Sequence, residues 1–337
     1  MSILASVVLG LAIGYLAMAN RLCAVVASEE MEQGDYSFLY TFGVCALLCL
    51  ILLPILGTTN LIDISETQLL LPVGALLGGA LFGYSSAFAR GSVVGLLYRT
   101  GAGRLHALVA FAVMATSAAF SAEVFRLYPI PLVSRGWEIP NPAGGGVPAF
   151  IPWTIAMLAF LLLAGIVVAA LRKRNEVSSE RQWLSTGFGV GILVLLAWLL
   201  SGDHGASRGI EELPALERIA SVLTSSGTKG SEWMAGIFLG IPVGAGLAAA
   251  VREKFQVRWP RFADPFESVL GGLGMGIGIA LAGGGTLKYL YTGPGALLAN
   301  SVLFLIAMFP MIAIGRKQRE RRREDSKKRR RTSKRKR

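Results

Sequence analysis

Two short stretches hold most of the polar chemistry open to this oily chain: Ala89-Arg90-Gly91-Ser92 and Ala282-Gly283-Gly284-Gly285. Each closes an apolar run and opens a shorter one, 93–98 and 286–291, too short to cross a bilayer. Glycine frees the backbone to leave a helix. Unwound backbone at membrane depth is stable only inside protein or along a cavity. A half-helix starting at such a break aims unpaired N–H groups into it, which favours an anion. The alternative is a surface turn after a complete helix. Ser92 adds an O–H donor. Arg90 reads either as a cation that draws an anion or as a side chain snorkelling to the interface. Lys288 lies inside the second short piece, where a cation at depth is a functional candidate unless it reaches the external surface. Tyr98 and Tyr291 end the two pieces and read as site-flanking or as interfacial aromatics. Cys23 is a lone thiol after the first apolar run. Cys45 and Cys49, four residues apart on one helix face, read as packing. Glu123, near the end of an apolar segment, reads as interfacial or as a proton relay.

Other chemistry is missing from the sequence. An odd number of cysteines, two of them within an apolar run, argues against a disulfide framework. With only His106 and His204, no Cys/His metal site is expected. There is no P-loop, GxSxG or HExxH string. The apolar segments offer no matched acid and base, so neither an enzyme nor a cofactor is expected.

The elements that position these residues follow from hydropathy. Of 337 residues, 53% are hydrophobic and 16% charged, and mean hydropathy is +0.56. A bilayer can accept that surface; water cannot. Nine apolar segments read as membrane helices: 3–19, 36–57, 69–89, 105–125, 151–171, 183–201, 233–251, 266–282 and 295–314. If all nine cross, one side holds 12 Lys/Arg in its loops and the other 6, before the C-terminal tail is counted. The richer side is cytoplasmic by the positive-inside rule, which places the N-terminus outside and the C-terminus inside a cytoplasmic (inner) membrane. The net charge of +12 resides wholly in 316–337, which has 15 Lys/Arg and 3 Asp/Glu. That run reads as a disordered cytoplasmic tail. It has no interleaved aromatics for base stacking, so anionic lipid headgroups, rather than nucleic acid, are its expected partner.

The chain also repeats itself. Offset by 193 residues, 71–98 falls on 264–291 with ten ungapped identities in 28 positions, including Pro72/Pro265, Gly91/Gly284 and Tyr98/Tyr291. Five crossings separate the copies, so they run oppositely. The fold class expected is an all-α membrane protein of about nine transmembrane segments, built as two inverted repeats with re-entrant or broken helices. The divisions are 1–126 for the first repeat, 127–182 for an external loop and linking helix, 183–315 for the second repeat, and 316–337 for the tail.

The run Gly91-Ser92-Val93-Val94-Gly95-Leu96-Leu97-Tyr98-Arg99-Thr100-Gly101-Ala102-Gly103-Arg104-Leu105 resembles a signature of the YeeE/YedE family of sulfur-transport membrane proteins. Ala282-Gly283-Gly284-Gly285 resembles that family's second A-G-G-C string. Asn20-Arg21-Leu22-Cys23 and Trp259-Pro260-Arg261 also fit. The resemblance implies a permease for thiosulfate or a related small sulfur anion, with three cysteines lining the path and offering S–H groups to the ion. Here Cys23 alone is kept. Ser92 and Gly285 stand where the other two cysteines would be, and Arg90 and Ala102 replace a glycine and a glutamate.

The substrate pathway expected therefore comprises Cys23, Arg90, Gly91, Ser92, Tyr98, Gly284, Gly285, Lys288 and Tyr291. The expected cargo is a small inorganic anion, with a sulfur-carrier protein as a further partner. The alternatives are a harder oxyanion and a non-transporting membrane partner of sulfur metabolism.

Overall fold

The computed structural model describes residues 2–59, 61–62, 67–140, 180–201, 209–224, 230–253, 255–258, 264–294 and 296–335. Among the described residues, eight helices are long and apolar enough to cross a membrane: Ile3–Glu32, Ser37–Gly57, Pro72–Gly101, Leu105–Leu127, Gln182–Ser201, Glu232–Val251, Pro265–Ala282 and Ala299–Arg322. They match eight of the nine expected segments. The ninth, 151–171, lies outside the described residues, as do 259–261.

Two of these spans are broken. The first is α1 (Ser2–Asn20) followed by a short α2 (Ala24–Glu32), and the third is α4 (Pro72–Ala89) followed by a short α5 (Val93–Gly101). Between them lies α3 (Ser37–Thr58), and after them α6 (Leu105–Leu127). The second half has the same order: long α8 (Glu180–Ser201), short α9 (Glu212–Thr224), long α10 (Glu232–Val251), long α11 (Asp264–Ala282), a one-turn π-helix (Leu287–Thr292) and long α12 (Ala299–Arg335). Between the halves, a single turn α7 (Pro131–Ser134) precedes strand β2 (Trp137–Pro140), which pairs antiparallel with β1 (Thr67–Leu70).

The halves pack by exchange. α1 lies on α10 and α3 on α8, while α4 lies on α12 and α6 on α11. At the centre α4 crosses α11. Gly74 meets Leu281, Gly78 meets Gly278, and Ala89 meets Gly271, so these two helices run antiparallel. Small residues let membrane helices approach backbone to backbone. A Cβ on Gly10 of α1 would stand 2.1 Å from the Ile237 carbonyl oxygen of α10, and one on Gly244 of α10 would stand 2.0 Å from that of Leu11.

Basic side chains gather at one end of the bundle. Arg252 donates to the Ala19 carbonyl (2.8 Å), Arg104 pairs its backbone with Arg258, and Arg316 reaches Glu32 (3.5 Å). Burial beside Arg99 and Arg258 lowers the hold of Arg104 on its proton. The tail departs from the disorder expected of so dense a charge run: α12 continues as helix through Arg335. No proline or glycine interrupts 316–335, and its Arg, Lys and Glu residues favour helix.

Candidate functional site

The first broken span places a thiol at the start of a half-helix. After α1 the chain turns through Arg21 (φ 54) and reaches Cys23 in extended conformation (φ −147, ψ 125). After α4 it turns through Arg90 (φ 63) and reaches Ser92, also extended (φ −74, ψ 179). There the Ser92 N–H donates to Cys23 Sγ at 3.4 Å, and Ser92 Oγ donates to the same sulfur at 3.6 Å. Both residues are buried. Gly95 makes the fit possible, because a Cβ there would stand 2.4 Å from Sγ. Sulfur thus takes up donors at the N-terminal end of α5, where the helix favours an acceptor.

Arg90 points its chemistry elsewhere. Its guanidinium donates to Glu267 Oε2 on α11 at 3.0 Å, and Arg319 Nε of α12 donates to the same oxygen at 3.0 Å. The neighbouring Gly91 is buried and donates its N–H to Ser86 O (3.0 Å).

The second break is filled by a carboxylate. α11 ends at Ala282, Gly283 turns (φ 72), and Gly284 donates back to Ile279 O (3.0 Å). Glu212, the first residue of α9, then accepts from the N–H groups of Gly285 (3.0 Å), Leu287 and Lys288 (3.0 Å). It has no exposed surface. Lys288 Nζ pairs with Glu211 at 2.8 Å and donates to Gly283 O at 3.1 Å. Tyr289 OH donates to Ala282 O. Thr286 Oγ1, between these donors, is buried without a hydrogen-bond partner among the described residues.

An apolar constriction lies between the two. A void of about 20 Å³ is walled by Ile13, Leu22, Val94, Ile210, Leu287 and Tyr291, among others. Leu22 also lines a second cavity, of about 310 Å³, with polar walls that include Asn20, Arg21, Asp35, Ser37 and Gln182. Leu22 is therefore shared by the walls of the polar cavity and the apolar void. Tyr98 and Tyr291 are buried.

Of the residues singled out from sequence, Cys23 and Ser92 meet at the start of α5, on which Tyr98 is also buried. Gly284, Gly285 and Lys288 lie at the second break, where Glu212 binds, and Tyr291 lines the void. Arg90 belongs to the Glu267–Arg319 cluster. Sequence reasoning missed Glu211, Glu212 and Leu22. The available signal was the pair Glu211-Glu212 opening an amphipathic stretch of 13 residues, too short to span.

A helical bundle whose helices break around a small apolar void has the build of a membrane permease. The chain belongs to the sulphur transport family, whose profile matches residues 20–313. It is similar to the thiosulfate transporter TsuA of Escherichia coli (strain K12), 24% identical over 303 residues that span 84% of each chain. It is also similar to the thiosulfate transporter TsuA of Spirochaeta thermophila, 27% identical over 310 residues, or 87% of this chain and 92% of that one.

Proposed function

We propose that this protein carries thiosulfate, or a closely related small sulfur oxyanion, through the constriction between the break after α4 and the break after α11. The observation that carries the reading is the buried Cys23 sulfur, held by Ser92 N–H and O–H at the start of α5 beside a closed void. An anion arriving there meets an S–H donor, an O–H donor and the positive end of a helix in a water-poor setting. The two like-ordered, cross-packed halves support an inverted-repeat plan with the path between them. The clustered basic end supports a cytoplasmic face there, an external N-terminus and a cytoplasmic (inner) membrane. On that face the basic end of α12 associates with anionic headgroups. No catalytic step is part of this function.

A second reading within transport is a harder oxyanion, favoured by one observation: a hydroxyl, Ser92, stands beside Cys23 at the first break, and Gly285 rather than a cysteine stands in the second. Proteoliposomes loaded with buffer and given labelled thiosulfate test both. Saturable uptake is expected, reduced at least tenfold by Cys23→Ala and competed by thiosulfate more strongly than by sulfate. Uptake competed equally by sulfate selects the harder oxyanion. A protein that moves neither anion above empty vesicles refutes transport.

A further inference from the structure

The Cys23 side of the path explains how an anion is received. It leaves unexplained a carboxylate on the other side. Glu212 is wholly buried, and its two oxygens take three backbone N–H groups from the second break. Beside it, Glu211 already balances Lys288. Among the described residues, two carboxylates thus face one ammonium, and one negative charge is left in excess. An unbalanced charge in a membrane interior is costly, and such groups mark ion and proton pathways.

Its place in the fold is specific. Leu22 sits two residues before α2, and Ile210 two residues before α9; both wall the same void. The starts of the two short helices therefore approach the constriction from its two sides, one bringing Cys23 and the other Glu211-Glu212. The carboxylate also occupies the room that a side chain at residue 285 would need: a Cβ on Gly285 would stand 2.9 Å from Glu212 Oε1. The break is thus shaped around Glu212.

An ionised Glu212 repels an arriving anion and keeps the Gly285, Leu287 and Lys288 N–H groups for itself. Protonation reverses both effects. It removes the charge, turns one acceptor oxygen into an O–H donor, and frees backbone donors along the path. The buried, unpartnered Thr286 hydroxyl lies among those donors. We propose that Glu212 is a protonatable gate that couples passage of one proton to passage of the anion. Glu212 takes a proton from the side the anion enters, the anion passes while the carboxyl is neutral, and the proton leaves to the other side as the carboxylate closes again.

The groups facing Glu212 have other engagements. Lys288 is paired with Glu211, and Tyr289 donates to Ala282 O. Of the charged groups on the other helices packed against α9, Arg126 of α6 is held by Glu123 and Glu217, and Glu232 of α10 by Arg218. The half of α11 that leads into the break, 273–282, has no ionisable side chain.

This inference rests on the transport reading, and one experiment separates the two. Purified protein in vesicles is clamped at zero membrane potential with valinomycin and equal potassium, and labelled thiosulfate uptake is followed with and without an inward proton gradient. With one proton per anion, wild-type protein is expected to accumulate thiosulfate about tenfold per pH unit. Glu212→Gln is expected to equilibrate thiosulfate without responding to the gradient. Glu212→Asp, which keeps a carboxyl, is expected to restore the response. Wild-type uptake that ignores the gradient refutes the gate, whether or not the glutamine variant folds. So does a Glu212→Gln protein that responds as wild type does. Wild-type vesicles that take up nothing under either condition refute transport, and the coupling with it.

Discussion

The fit of the Cys23 sulfur against Gly95 can be tested to an energy. Gly95→Ala would put a methyl carbon 2.4 Å from Sγ, 3.2 Å from Cys23 Cβ and 3.6 Å from Ser92 Oγ. Carbon and sulfur are comfortable near ~3.7 Å, so the overlap exceeds about 1 Å. Overpacking of this kind costs roughly 1–3 kcal/mol. If the sulfur swings away, it gives up its bonds from Ser92 N–H and O–H, each worth about 0.5–1.5 kcal/mol at most. The single variant is therefore expected to lose about 2–4 kcal/mol. Cys23→Ala removes the sulfur and its acceptor, and leaves the Ser92 N–H unmet at a cost of about 1–3 kcal/mol. Combining the two costs less than their sum, because the clash partner is gone. Equilibrium unfolding in mixed detergent micelles, run as a double-mutant cycle, should return a coupling of about 1–3 kcal/mol. Uptake should follow a different rule: the double variant recovers fold but transports no better than Cys23→Ala. Additivity within about 0.5 kcal/mol would mean that Sγ does not rest on Gly95. Recovered uptake without the thiol would remove Cys23 from the path.

Two further outcomes follow from the backbone. Gly10→Ala should cost about 3 kcal/mol or more by prising α1 off α10, whereas Gly43→Ala, which meets open space, should gain up to about 1 kcal/mol; the yield of monodisperse protein after heating ranks them. Arg90→Gly and Arg90→Ala both lose the Glu267 pair, but only glycine is at ease at φ 63, so the glycine variant should be the more stable by about 1 kcal/mol; equal stabilities would contradict the left-handed turn.

Much of this architecture is written in local composition. Long apolar runs announce the spanning helices because the bilayer demands them, and Gly91 and the triplet 283–285 announce the two breaks because few other residues leave a helix so freely. Ser92 was legible because the repeat and the family signature both point at it. Glu212 was not. Its own segment is neither long nor oily enough to register as membrane structure, and its role exists only once Gly285, 73 residues away in sequence, is folded against it. The partner of Arg90 was hidden for the same reason: the sequence alternatives were an anion or the interface, while Glu267 lies 177 residues on. The helical tail was missed on a different ground. Charge density argued for disorder, while intrinsic propensity, undisturbed by proline or glycine, argued for helix and prevailed.

The glycine contacts between long helices have a mechanical consequence. With α1 set on α10 and α4 set on α11 at main-chain distance, these pairs have almost no compressible side-chain layer between them. Sliding or tilting one against the other would strip dispersion contacts along their whole length. The yielding parts are the short pieces and the few residues that hinge them. Turnover that depends on such small parts should be insensitive to lipid acyl length and to lateral pressure, which act on whole-helix tilt.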